Sequence, residues 1–296
     1  MKRVLAIILA MFMILSLVAC GSDGGSGGGT DKKSNKPTIE DTVIYDENGI
    51  KLTVKGFMAD DDQMRSFLPD GELLEVFIEN NTDQDITVMS GDKAIVNGCY
   101  VFDDSGHGGG AGAGGTGALW WTLKPKYLKE FGVEYITDIT ISPVITGANG
   151  ETLYEVGKVN IETSKKGEYE QSRDMPGDVI YDQGGIKITA KLLEDADDEY
   201  SSNLRMLYVE NTTGKDYQIY LKDVNANGAS VSYVTIFTGF AYVFDGTIGG
   251  DYLSVSKDSL SNNNIENVER VDFKLEFHEI GNWDSYFVTD VITINF

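Results

Sequence analysis

The chain has 296 residues, 41 % of them hydrophobic, with 24 basic against 47 acidic side chains and a formal charge of −23. Such a balance excludes nucleic acid as a partner and excludes flat adsorption on anionic lipid, since neither counterion release nor surface attraction is available. Length and apolar content permit two cores of ordinary size.

Lys2 and Arg3 precede an apolar run from Val4 to Val18 broken only by Ser16. This is the basic n-region and short h-region of a secretory signal, too short for a permanent bilayer helix. The run ends Leu17-Val18-Ala19-Cys20, which resembles the lipobox of bacterial lipoproteins. The resemblance implies that residues 1–19 are a signal peptide, that the Cys20 thiol receives diacylglycerol, and that the membrane is a partner through this lipid. A thiolate is the nucleophile the thioether requires, and two acyl chains hold lastingly at about 0.8 kcal/mol per buried methylene. Without Lys2 and Arg3, 22 basic residues face 47 acidic ones, a charge of −25.

Residues 20–38 combine this cysteine with a Gly/Ser-rich linker, a flexible tether with no apolar surface to bury. Its G-x-S-x-G match at Gly24 to Gly28 lacks the strand and helix that a nucleophile elbow needs.

An internal repeat follows. Val43-Ile44-Tyr45-Asp46 through Gly49-Ile50-Lys51-Leu52-Thr53 reappears 136 residues later as Val179-Ile180-Tyr181-Asp182 through Gly185-Ile186-Lys187-Ile188-Thr189. Glu79-Asn80-Asn81-Thr82 is echoed by Glu210-Asn211-Thr212-Thr213, and Asn97-Gly98 by Asn227-Gly228. Within each copy apolar residues alternate with polar ones, as at Ile50, Leu52, Val54 and at Val271, Phe273, Leu275, Phe277. That period of two, punctuated by Asn, Gly and Asp turns, predicts half-buried antiparallel strands. Only Thr122–Phe131 and Lys257–Leu260 read as short helical turns. The expected class is all-β, with one β-sandwich over 39–164, a linker over 165–178 and a second β-sandwich over 179–296.

The strands that end in Asn-Thr turns and run on to Asn-Gly resemble the immunoglobulin-like sandwich domains of uncharacterised lipoproteins from Gram-positive, clostridia-like bacteria. The resemblance implies a tandem immunoglobulin-like fold and an extracytoplasmic, lipid-anchored setting. It supplies no catalytic residues.

Ser105–Gly117 is glycine-rich and contains G-x-G-x-x-G at Gly110, Gly112 and Gly115. It lacks the βαβ context of a dinucleotide site and reads as a flexible hairpin loop. Beside it stand Trp120 and Trp121, of which alternation sends one to the core and one to solvent. Together with His107 they form the candidate binding surface. Acidic clusters offer candidate calcium ligands at Asp60, Asp62, Asp195 and Asp197, against the plainer reading of solvated loop charge; the EF-hand spacing is absent. Cys99 reads as a small buried hydrophobe in a strand. His278 falls on the polar face of its strand, and zinc-hydrolase patterns are missing. No catalytic residue and no cofactor is nominated.

The expected function is therefore a non-enzymatic surface protein that displays its sandwich modules to an envelope protein or glycan. The alternatives are a carboxylate-based envelope hydrolase and a solute-binding lipoprotein of a transporter.

Overall fold

The computed structural model describes residues 36–296 except 60–70, 90–93, 102–107, 124, 194–200 and 233–240. Strand β1 (Thr42–Glu47) turns into β2 (Ile50–Phe57) at Asn48-Gly49, where φ is +53° and +78°. Positive φ at both turn residues matches the twist of the flanking strands, and Asn and Gly tolerate it best. The second copy repeats the hairpin with β13 (Asp178–Gln183) and β14 (Ile186–Leu192) around Gly184-Gly185, at φ +62° and +85°. Even the bulge recurs, between Val43 and Tyr45 in one hairpin and between Val179 and Tyr181 in the other.

Between these hairpins the first copy contains β3 (Glu72–Asn80), β4 (Ile86–Met89), β5 (Ala94–Val96), β6 (Cys99–Tyr100), β7 (Gly109–Ala111), β8 (Thr116–Leu123), helix α1 (Pro125–Glu130), β9 (Asp138–Ile141), β10 (Val144–Gly147), β11 (Thr152–Glu155) and β12 (Val159–Glu162). The second copy continues with β15 (Ser201–Asn211), β16 (Tyr217–Ala226), β17 (Ala229–Ser230), β18 (Ala241–Val243), β19 (Ile248–Ser256), helix α2 (Lys257–Asn262), β20 (Arg270–Glu279), β21 (Asn282–Val288) and β22 (Ile292–Asn295). The elements correspond in order. Each copy places a short helix directly after the strand that pairs with its third, α1 after β8 and α2 after β19, at the two places where helical turns are expected.

The chain is an all-β protein of antiparallel sandwiches. In the first copy the sheet β1-β2-β3-β8 faces the strands β11-β10-β4-β7 and β12-β9-β5-β6. Leu52, Val54, Val76, Ile78, Leu119 and Trp121 from the former pack with Val88, Val96, Ile139 and Ile145 from the latter, all nearly or fully buried. In the second, Ile186, Ile188, Val209 and Leu253 meet Ile219, Phe273, Leu275 and Phe277.

Buried polar side chains close each sandwich in the same way. Asn80 Nδ2 donates to the carbonyls of Gln84 and Ala111 at 2.9 and 3.1 Å, while its Oδ1 accepts from Thr82 N–H and O–H at 3.0 and 2.7 Å. Asn211 repeats this with Lys215 O, Val243 O, Thr213 N–H and Thr213 O–H at 2.7, 3.2, 3.0 and 2.8 Å. Both asparagines are fully buried.

The copies are not separate beads. β6 pairs with β19 in parallel through Cys99 and Ile248, so one sheet of eight strands runs β12-β9-β5-β6-β19-β15-β14-β13 through both. β15 is consequently buried on both faces. Met206 and Tyr208 join the first core, Leu207 and Val209 the second. The Tyr208 hydroxyl donates to Glu130 O at 2.9 Å, and Lys191 reaches the Glu130 carboxylate at 3.1 Å. The segment between the copies is fastened to both: Gln171 donates to Phe131 O, and Arg173 holds Glu210 and the Gly246 carbonyl. Residues Lys36–Phe296 thus form a single compact unit.

The glycine-rich segment differs from the expected flexible loop where it is described. Gly109–Ala111 is strand β7, paired with β4, and Thr116 onward is β8. A Cβ at Gly117 would stand 1.9 Å from Gly110 O, and one at Gly109 would stand 2.2 Å from Ala118 O. At Gly109 and Gly117 glycine is required by close backbone approach, not by flexibility.

Candidate functional site: an aromatic face on the second sandwich

The outer face of β16, β20 and β21 is where the copies differ. Register defines two rows across the strands. In the first copy one row reads Gly110, Thr87, Thr146, Thr152 and the next Met89, Val144, Glu155. The corresponding rows of the second copy read Tyr242, Gln218, His278, Tyr286 and Tyr220, Glu276, Val288. Inward positions stay apolar in both copies, as Ile145 and Phe277 illustrate. Duplication has kept the core and exchanged a threonine face for an aromatic one.

Trp283 joins this face through an irregularity. His278 pairs with Tyr286 and Glu279 with Asn282, so the register shifts and residues 283–285 bulge. Seven residues separate His278 from Tyr286, where five separate Thr146 from Thr152. Regular alternation would turn residue 283 inward with Phe287; a bulge re-aims it. The Trp283 indole lies 4.8 Å from the His278 ring and 5.9 Å from the Tyr220 ring, between centroids. Tyr286 stacks on His278 at 5.2 Å and 19°. Trp283 is 56 % exposed and Tyr286 59 %, with Val288 alongside at 41 %.

His278 organises the cluster. Nε2 is 2.7 Å from Glu276 Oε1 and Nδ1 is 3.2 Å from Trp283 O. Both neighbours are acceptors, so the ring donates to both only when doubly protonated. The His278 hydrogen bond and then Lys222 hold the Glu276 carboxyl below the usual range, while burial pushes the Tyr220 phenol up. Lys215 and Ser285 converge on Glu279 at 2.6 and 2.7 Å, tying down the base of the bulge. The resulting surface is a braced array of rings interleaved with an amide, a carboxylate and an ammonium.

Of the residues nominated from sequence, those the structure describes lie elsewhere. Trp121 is in the first core at 2 % exposure and is closed to ligands. Trp120 is half-buried, its indole N–H sequestered without a hydrogen-bond acceptor among the described residues. Cys20, Asp60, Asp62, His107, Asp195 and Asp197 fall outside the described residues. Cys99 is fully buried, and burial pushes its thiol up to about 12, which suppresses the reactive thiolate. Among the described residues no three His, Cys, Asp or Glu side chains gather as a metal site. A polar hollow of about 530 Å³ beside the inter-copy segment is lined by Asn97, Lys166 and Arg173. Its cations are already paired, Lys166 with Asp138 at 2.7 Å and Arg173 with Glu210 at 2.8 Å.

Trp283 was missed because it sits in a bulge, where a period of two no longer reports direction. His278 was read correctly as outward-facing but in isolation. Comparing the outward positions of the two repeats is the signal that would have found the face.

No protein-family model matches the chain, and no curated protein matches it. Among solved structures it is similar to an Amycolatopsis orientalis exo-chitosanase, CsxA, at 13 % identity and a TM-score of 0.25, covering 82 % of this chain and 26 % of that one. It is also similar to a protein of unknown function from Porphyromonas gingivalis W83, at 11 % identity and a TM-score of 0.21, covering 76 % and 90 %. The chain spans about a quarter of the chitosanase, and likenesses at these scores carry no functional argument.

Proposed function

We propose that the protein is a non-enzymatic binding lipoprotein, held outside the cytoplasmic membrane by a lipid on Cys20, that engages envelope material through the aromatic face of its second sandwich. The observation that carries this reading is the exchange of Thr87, Thr146 and Thr152 in the first copy for Gln218, His278 and Tyr286 in the second, with Trp283 added by the bulge. Exposing an indole and a phenol to water has no stabilising role, and a clustered exposed aromatic patch marks an interaction site. Glu276, the carboxylate within the two rows, is bonded to His278 and Lys222, and the His278 hydrogen bond holds it below the usual carboxylate range. It therefore has no proton to donate as the general acid of a glycoside hydrolase, which favours binding over hydrolysis.

Two measurements test the reading. Cys20→Ser should move the protein from the membrane fraction to the soluble fraction without altering its thermal unfolding. The lipid-free chain beginning at that position should sediment with isolated envelopes, and Trp283→Ala should abolish this. Sedimentation unchanged by the substitution would refute the assignment of the face.

A further inference from the structure

We infer that the aromatic face of β16, β20 and β21 takes an uncharged pyranose saccharide two or three sugar units long. Its apolar C–H faces would stack on Trp283 and Tyr286, and its hydroxyls would bond to Gln218, Lys222 and Glu276. The inference rests on the reading of this face as the binding face and adds the chemistry of its ligand.

Size comes first. A large aromatic side chain offers roughly 150–250 Å². Trp283 at 56 % and Tyr286 at 59 % exposure thus present on the order of 250 Å² together. A stable protein partner covers about 800 Å² of each surface. Two or three sugar rings match the smaller area.

Shape agrees. Tyr242, Gln218, His278 and Tyr286 lie in one row across four adjacent strands. At about 4.8 Å per strand the row is roughly 14 Å long, so successive sugar rings meet successive strands. The rings are held in advance by the stacking of His278 on Tyr286 and by the His278 contacts to Glu276 and to the Trp283 carbonyl. A rigid platform loses little entropy on binding and suits a ligand with flat apolar faces and a polar rim.

Charge selects among saccharides. Lys222 is paired with Glu276 at 3.3 Å and Lys274 with Asp223 at 2.8 Å. Asp284, exposed and next in sequence to Trp283, adds negative charge, and the whole chain carries −23. An acidic polymer would find its counter-charges already engaged and a repulsive field around them. An uncharged chain meets neither penalty.

The test uses the lipid-free chain from position 20 with Cys20→Ser, beside Trp283→Ala and Tyr286→Ala, each checked for unchanged thermal unfolding. Affinity electrophoresis is run in gels containing laminarin, hydroxyethyl cellulose, galactomannan, pullulan or the acidic polymer polygalacturonate. Sedimentation is run with envelopes treated with periodate, with protease or with neither. Retardation by an uncharged polysaccharide, weakened about tenfold or more by Trp283→Ala as for a central anchor, together with envelope binding destroyed by periodate, is the expected result. Envelope binding that depends on Trp283 but is destroyed by protease and survives periodate would overturn the saccharide and leave the binding face standing. Binding untouched by both substitutions would overturn the face and the saccharide together. Retardation by polygalacturonate alone would overturn the assignment to an uncharged ligand, and no retardation or sedimentation at all would overturn the proposal.

Discussion

Asn80 and Asn211 are 131 residues apart in the chain and occupy the same buried position in the two sandwiches. Asn80 donates to the carbonyls of Gln84, Ala111 and Gly112 and Asn211 to those of Lys215 and Val243, and each accepts from the Thr two residues on. Each thereby ties the end of its strand to the turn that follows and to the neighbouring glycine-rich or β18 edge. Replacing either with alanine strands buried carbonyls and a buried N–H, at a cost of about 2–4 kcal/mol. Asn211→Ala and Asn80→Ala are each expected to lower the midpoint of urea unfolding, and a change within 0.5 kcal/mol in either, the range of ordinary surface substitutions, would contradict the network.

Glycine substitutions should separate close approach from turn geometry. Gly117→Ala forces a methyl into Gly110 O, with backbone on both sides and no rotamer to relieve it. A loss of about 3 kcal/mol or more, or failure to fold, is expected from such overpacking. Gly114 has φ +66° and nothing within 4 Å of a Cβ. Gly114→Ala should therefore show only the left-handed penalty of about 1–2 kcal/mol. Equilibrium unfolding of the two variants gives the comparison.

Asp251 sets a pH dependence. Burial raises its carboxyl to about 7, opposed by the hydrogen bond from Tyr252 N–H at 2.7 Å. Here the folded state holds its proton where the unfolded state has released it. Between the ordinary aspartate value of about 3.9 and about 7 the native state binds more protons, so this group makes stability fall as pH rises across that window and level off above it. Asp251→Asn should remove this contribution. Urea midpoints measured from pH 4 to 8 for both proteins should diverge toward pH 8, with the variant higher; parallel curves would show that Asp251 is not the source.

Cys99 should be silent until the first core opens. With full burial and a thiol near 12, it should fail to react with a disulfide reagent at pH 8 in the Cys20→Ser chain. One thiol should then appear in denaturant. Reaction in the native protein would mean that the β6–β19 junction opens easily.

His278 should matter more to the face than to the fold. His278→Phe keeps a ring beside Tyr286 but loses the bonds to Glu276 and to Trp283 O. Trp283 emission should shift to the red as the bulge loosens, with unfolding stability changed by no more than about 1 kcal/mol, since the site is on the surface.

The duplication, the all-β class and the two short helices were legible in the chain because they depend on local chemistry. Asn48-Gly49, Asn97-Gly98 and Asn227-Gly228 all turn at positive φ, and alternation with period two marks a half-buried strand before any partner is known. The Asn-x-Thr echoes carried the buried networks in the same way. What the sequence left open was decided by contacts between distant residues. The tandem copies became one unit because β6 meets β19 edge to edge, and no local pattern encodes which edge pairs with which. Gly109 and Gly117 sit in paired strands where two backbones approach too closely for a side chain, a distance that composition cannot express. Trp121 is buried and Trp283 exposed because core depth and a register shift place them so. The sequence determined which segments are strands and where they turn, while only the tertiary structure decided which aromatics face water, since orientation past a bulge depends on the pairing of the neighbouring strand.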